Sequence, residues 1–231
     1  FKPQEVSKDF AQLINKNVCS FGFFKGWIHG ENDRSGFATL ARAYSEEFTA
    51  EEPVRLIVHI NKAYCPPQWN FGEELNKLAL PQGRAKMTYL DGQFAFKDLP
   101  NLYNLVDFVV SASKAEAFNL TILEGMACGN IPVVPDNGGE VDFAWCGLVY
   151  PGGEACPAFG DLTYEGVSWR QPIVKDLRKA LRQAYDTWQE GHIDTGVIEL
   201  DSFRHKKEQA KIQSSFMTWQ DTARKIKELI N

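Results

Sequence analysis

The sequence predicts an α/β fold built on a mostly parallel sheet with helices on both faces. Short runs such as "VRLIVHI" (54–60), "DFVVSAS" (107–113) and "IPVVP" (131–135) are almost continuously apolar, as strands covered on both faces are. They alternate with segments whose apolar residues recur at helical spacing. Glycine, proline and asparagine separate the two kinds of segment, as turn formers do.

Taken in order, "NVCSFGFF" (17–24) is a β-rich run, followed by a polar, glycine-containing loop, "KGWIHGENDRSG" (25–36). "FATLARAYSEEF" (37–48) places Phe37, Leu40, Ala41, Tyr44 and Phe48 on one helical face. After the strand 54–60 and a Pro-Pro loop, "FGEELNKLAL" (71–80) reads as loop then helix, and "AKMTYL" (85–90) as a strand. Asp98 is placed to cap a short helix, 99–106, with Pro100 in its tolerant first turn. A strand (107–113), a helix (120–128) and two more strands (131–135 and 147–151) follow. Beyond them lie an irregular segment (152–171), a helix (173–188), a basic stretch and a closing helix (216–230).

The 231 residues, 44% hydrophobic and 24% charged, suffice for one large domain or one domain with an appendage. A net charge of −5, spread along the chain, argues against bulk nucleic-acid affinity as the main role. The five cysteines are odd in number and scattered, which fits buried or incidental thiols rather than a disulfide frame. The four histidines are equally dispersed, so no metal cluster is expected. No apolar stretch approaches the roughly 20 residues of a membrane span, and no signal-peptide pattern opens the chain. A cytoplasmic protein is expected, peripheral at a membrane surface at most. The basic run "RHKKEQAK" (204–211) fits a solvated helix face better than a membrane contact.

In sheets of this kind ligands bind beyond the carboxyl ends of the strands, near a switch in strand order. The loops after Phe24, Ile60, Leu90 and Ser113 are therefore where chemistry is expected. The stretch "KAEAFNLTILEGMACGNIPVV" (114–134) holds two carboxylates there, Glu116 in a loop and Glu124 inside a helix. Asn119 is placed as the helix N-cap, its side-chain oxygen accepting from a backbone N–H, and Gly129-Asn130 with Pro132 end the helix. The exposed N–H groups and positive dipole end make a ready anion site. Spacing alone reads Glu116 as a loop charge and Glu124 as a solvated one. The functional alternative is that both accept hydrogen bonds from one polyhydroxylated ligand.

A strand ending in serine, then Glu-x-Phe-x-Leu, a second Glu after seven intervening residues, and "ACGNIPVV" resembles the Glu-x7-Glu signature of retaining glycosyltransferases. These have the GT-B fold and belong to the large family 4 group. "DLPNLYNLVDFVVSAS" before the motif, "IPVVPDNGGEVDF" and "GLVYP" after it, and "DRSGFATLARAYSEEF" upstream are similar to the family's surrounding segments. The closing "SSFMTWQDTARKIKELI" resembles its Phe-x-x-Trp helix. The resemblance implies the carboxy-terminal half of a GT-B fold, a Rossmann-like, doubly wound, mostly parallel sheet that binds the sugar donor.

It implies catalytic roles for Glu116, beside the transferred sugar, and Arg34, which neutralises the leaving diphosphate. Donor binding falls to Glu124 at the ribose hydroxyls and to the backbone of Phe118, Asn119, Leu120 and Thr121 at the diphosphate. Gly22, Lys62 and Phe94, the last in the loop 93–96 bordering the base, complete the donor set. The sequence departs from the family at Glu-Ala-Phe-Asn, where Glu-Gly-Phe-Gly is usual, and at Ser35-Gly36, where a lysine precedes the glycine. Lys25 or Lys62 can supply the missing cation, each being otherwise a solvated surface lysine. No metal or other cofactor is implied.

The implied organisation is a linker (1–16), a donor domain (17–201) and a helical segment (202–231) crossing back to an N-terminal acceptor-binding domain, in the parent protein or a partner chain. The implied reaction transfers a hexose from a UDP- or GDP-sugar to a hydroxyl with retained anomeric configuration. The alternative is a degenerate GT-B module that binds ligand or partners without catalysis. A sugar-nucleotide epimerase is a third reading, although such enzymes lack the combined motif.

Overall fold

The computed structural model describes residues 8–159, 165–192 and 203–230. The start of the expected linker and the boundary expected at 201–202 lie outside the described residues. A short helix, α1 (Lys8–Ala11), precedes a six-stranded sheet. Its strands are β1 (Cys19–Lys25), β2 (Val54–Ile60), β3 (Lys86–Tyr89), β4 (Phe108–Val110), β5 (Ile131–Pro135) and β6 (Leu148–Tyr150). They lie in the order β3-β2-β1-β4-β5-β6, and every pairing is parallel. The order reverses between β1 and β4, so the crevice beyond their carboxyl ends is the switch point.

Period-two alternation divides each central strand between two cores. Phe21, Phe23, Phe108, Val110 and Val133 enter the core beneath α2 (Phe37–Glu47) and α6 (Val174–His192). Val109 and Val134 enter the opposite core, with Ile122 and Met126 of α5 (Leu120–Ala127) and Ala210 of α7 (Phe203–Ser215). With apolar residues required on both sides, these strands have no polar face, which is why they read as continuous hydrophobic runs. Cys19, Cys128 and Cys146 are buried thiols. No helix among the described residues is long and apolar enough to cross a membrane.

Four expectations change. The segment expected to be irregular contains an antiparallel pair, β7 (Glu154–Pro157) and β8 (Ser168–Gln171). These strands are short and largely exposed, so they carry neither alternation nor a long apolar run. Asp98 makes no side-chain cap bond, because a 3₁₀ turn (Phe96–Asp98) runs straight into α4 (Leu99–Tyr103) and already holds it in helical geometry. The basic stretch forms most of α7, which buries Phe203 and Ala210 and packs beside α5. The closing helix, α8, starts at Trp219 (Trp219–Ile230), because the Thr218 hydroxyl accepts from Asp221 N–H at 3.1 Å and caps it there.

The loop between β1 and α2 positions Arg34. The buried Trp27 side chain packs on Phe37 and donates to Gly30 O at 3.0 Å. The Asp33 carboxylate accepts from Ile28 N at 2.9 Å, His29 N at 3.2 Å and Ser35 N at 2.8 Å, folding the loop around one acceptor. Gly36 then starts α2 in the left-handed region, at φ 72°. A Cβ there would lie 1.7 Å from the Ala112 carbonyl oxygen, so both conformation and space require glycine. Gly36→Ala is expected to cost about 2–4 kcal/mol through combined strain and backbone displacement. Urea denaturation checks this, and an unchanged midpoint would refute the close approach.

Candidate functional site

The crevice at the switch point is built from the ends of β1 and β4, the loop 114–119, the start of α5 and the loop after β5. Lys25 is the last residue of β1, and its side chain is only 7% exposed. Its ammonium donates to Glu116 Oε1 at 2.9 Å and Ser113 Oγ at 2.7 Å, with Ser111 Oγ at 3.5 Å. The Ser113 hydroxyl in turn donates to Glu116 Oε1 at 3.1 Å. Arg34 approaches the other carboxylate oxygen, Oε2, at 3.2 Å and donates to the Ala115 carbonyl. Glu116 thus joins two cations, one sealed inside and one, Arg34, 46% exposed toward solvent.

Burial alone would raise the Glu116 carboxyl; the charge and hydrogen bond of Lys25, followed by those of Arg34, outweigh it and hold the carboxyl below its ordinary value. Burial lowers the Lys25 ammonium from the ordinary lysine value despite the carboxylate beside it. Farther along α5, Glu124 is half-buried and accepts the Tyr103 hydroxyl at 2.6 Å. Burial raises the Glu124 carboxyl, against that hydrogen bond.

Asn119 occupies the N-cap position of α5 in the left-handed region, φ 69°, but makes no side-chain cap bond. This corrects the expected cap. Its side chain turns inward instead and donates from Nδ2 to Ser111 Oγ at 3.0 Å. Ile122 N–H makes the first turn's bond to Asn119 O at 3.1 Å, and the Leu120 and Thr121 N–H groups lie ahead of it, at the positive end of the helix. Thr121 Oγ1 reaches Phe24 O at 3.4 Å, tying this end of α5 to β1. The Phe118 and Leu120 side chains are exposed, with Phe118 packed on Phe143 at 5.0 Å between ring centroids.

The loop after β5 closes the back of the site. Gly139 N–H donates to Glu116 O at 3.0 Å, and a Cβ on Gly139 would lie 2.0 Å from Ala117 O. Glu140, fully buried, accepts the Ser111 hydroxyl at 2.8 Å.

Of the residues expected to act together, Glu116, Arg34, Asn119, Leu120 and Thr121 meet at this crevice, and Glu124 lies farther along the same helix. Lys62 lies outside the Lys25–Glu116 cluster; its ammonium pairs with Asp91 at 2.7 Å. Phe94 packs between His59 (4.8 Å) and Phe10 (5.6 Å), beyond β3. Gly22 sits inside β1, paired with Ile57 and Val109, rather than at the strand's end. A Cβ there would come within 2.9 Å of both the Phe24 ring and Val106, so packing alone accounts for this glycine. Sequence reasoning missed Ser111, Tyr103 and Glu140; only the two serines ending "SAS" gave a signal, as polar residues closing an apolar strand. Among the described residues no group of three or more His, Cys, Asp or Glu side chains is placed to hold a metal ion.

The sequence profile of the family described as "Glycosyl transferases group 1" matches residues 26–161, more than half of the chain and the whole of this crevice beyond Lys25. The chain belongs to the glycosyl transferases group 1 family. No curated protein matches it. Among solved structures, sucrose-phosphate synthase from Thermosynechococcus elongatus superposes with a TM-score of 0.64 at 18% identity, covering 100% of this chain and 49% of that one. Anabaena HepE, in complex with UDP and glucose, gives 0.62 at 17% identity, with 100% and 53% covered. The C-terminal domain of a glycosyl transferase group 1 protein, LpcC, from Francisella tularensis gives 0.59 at 15% identity, with 93% and 94% covered. At these identities the likeness carries the fold, that of a GT-B glycosyltransferase domain. The chain spans about half the length of the sucrose-phosphate synthase and HepE chains (49% and 53%) and nearly all of the isolated C-terminal domain.

The depressed Glu116 carboxyl has a measurable consequence. Its pairing stabilises the fold at pH values above its ordinary unfolded range, and this is lost as pH falls through the lower folded-state value. Glu116→Gln is expected to lower stability by roughly 1–3 kcal/mol at neutral pH. The two proteins should then converge as pH is lowered below about 4. Thermal melts across that range check it, and a gap that widens toward acid would contradict the assignment.

Proposed function

We propose that the chain is the donor-binding half of a retaining glycosyltransferase that takes a UDP- or GDP-hexose and transfers the sugar to a hydroxyl. The observation that carries this reading is the convergence of Lys25 and Arg34 on Glu116, directly beside the N-terminus of α5 at the sheet's switch point. Two cations and a helix end concentrate positive potential where a diphosphate would lie. The second cation, absent at Ser35, is supplied by Lys25 from the neighbouring strand end. Glu124 fits the ribose: Tyr103 takes one of its oxygens, leaving the other to accept from the sugar diol. HepE, a structural neighbour, has been solved with UDP-glucose.

In this reaction the bond from the anomeric carbon to the diphosphate oxygen breaks, and a bond to the acceptor oxygen forms on the same face. The acceptor's proton passes to the departing phosphate. Negative charge grows on the leaving diphosphate in the transition state, so preorganised cations lower the barrier. Lys25 and Arg34 supply that charge from the protein, and the scheme asks for no metal. Glu116, held ionised by both, accepts from the transferred sugar's hydroxyls. An acceptor-binding domain, in the parent protein or another chain, completes the cleft, and a cytoplasmic setting with nucleotide sugars suits the chemistry.

Calorimetry with UDP, GDP and their hexose conjugates tests the reading. Binding of one series is expected, weakened about tenfold by Glu124→Ala, the loss of one ribose contact; no binding of either series at millimolar concentration would reject the donor site. In the parent protein, Lys25→Ala is expected to lower kcat by about 10²–10³-fold, and full turnover in that variant would remove Lys25 from the mechanism.

A further inference from the structure

Glu140 has no place in the donor contacts described above, yet it is the most deeply buried acidic side chain of the crevice. Its relative exposure is 0%. One carboxyl oxygen accepts from Ser111 Oγ at 2.8 Å, and the other, Oε2, has no hydrogen-bond partner among the described residues. Burial, with the nearby Glu116 charge, raises the carboxyl above its ordinary value, against the attraction of Lys25 and the hydrogen-bonding groups of Ser111 and Asn119. A carboxyl held this way costs stability that an apolar side chain of similar volume would not. Packing therefore does not account for it.

The geometry around Ser111 does. The Ser111 backbone is fixed on both sides, its N–H bonded to Val133 O at 2.9 Å and its carbonyl accepting from Tyr150 Oη at 2.8 Å. Only the hydroxyl's direction remains to be set. A serine hydroxyl has one proton and two lone pairs. Donating the proton to Glu140 leaves the lone pairs for Asn119 Nδ2 at 3.0 Å and, at longer range, the Lys25 ammonium and the Ser113 N–H, both at 3.5 Å. The first holds the left-handed turn that aims the start of α5, and the second lies behind the cation that faces Glu116.

We propose that Glu140 is a positioning residue of the sugar-nucleotide site, acting through the Ser111 hydroxyl on the Asn119 turn and the Lys25 ammonium. The functional half rests on the donor-binding reading above; the structural half does not. Removing the acceptor at position 140 frees the hydroxyl proton to point elsewhere, and the α5 N–H groups lose their fixed aim.

Amide NMR of the chain without ligand tests the structural half. Glu140→Ala and Ser111→Ala should shift the same resonances, the Leu120 and Thr121 backbone amides and the Asn119 side-chain amide, and Glu140→Gln should restore them. A folded Glu140→Ala variant whose shifts stay within residues 138–142 would overturn the proposal. Titration with UDP and GDP tests the functional half on the same samples. Affinity for the nucleotide that binds should fall about tenfold in Glu140→Ala and Ser111→Ala and stay within about threefold of the parent in Glu140→Gln. Unchanged affinity in both alanine variants would overturn it. If the unaltered chain binds neither nucleotide, the donor reading falls while the resonances still decide the positioning. If Glu140→Ala does not fold, Ser111→Ala carries both measurements.

Discussion

The Lys25 ammonium stands where β1 leaves the sheet between β2 and β4, almost out of reach of water, and it needs partners from the protein on every side. A buried cation is tolerated only when paired and hydrogen-bonded. Ser113 and Glu116 provide this, and neither can be displaced without exposing the other's charge or hydroxyl. The demand reaches outward from there. The loop 114–116 must return to the end of β1, Arg34 must swing across from the start of α2, and the loop after β5 must fold up behind. The Gly139 bond to Glu116 O and the close approach of Gly36 to Ala112 are two backbone consequences of the same convergence.

The charge count of the crevice follows from that pairing. Lys25 and Arg34 converge on the single carboxylate of Glu116, so two cations share one anion there. Glu116 fills both cations while nothing else is bound. On the donor-binding reading an arriving diphosphate therefore meets cations already engaged, and shares them with a carboxylate rather than filling an empty pair. The exposed Arg34 is the member able to turn toward it, because Lys25 is buried and held by Glu116, Ser113 and Ser111. This divides the labour: the buried cation fixes the field, and the exposed one adapts to the ligand.

The sheet was legible in the sequence because both of its faces are buried, which forces the continuous apolar runs at 54–60 and 131–135. The hairpin of β7 and β8 was not, since Glu154 to Pro157 offers neither a run nor an alternation. The two glutamates of the motif and Arg34 were legible through the resemblance, whereas Lys25 read better as a solvated surface lysine. What decides Lys25 is the return of Ser111, Ser113 and Glu116 to the end of β1, a long-range arrangement that periodicity does not encode. Glu140 was invisible for a similar reason. A glutamate after two glycines ordinarily faces water, and only the packing of that turn against Ser111 and Tyr150 seals it inside.

Asn119 shows how one residue can satisfy a sequence expectation in conformation and depart from it in chemistry. Asparagine tolerates the left-handed region better than other residues with a Cβ, so the turn where glycine is usual survives. The side chain does not spend its hydrogen bond on capping the helix, as a short polar residue at that position commonly does. It points into the domain, toward Ser111, so the N–H groups of the first turn have no competitor from their own cap. A capping bond would strengthen α5 by about 1 kcal/mol and place an acceptor oxygen where an anionic ligand would have to sit. The turn inward keeps the helix end available and ties its direction to the buried network beneath it.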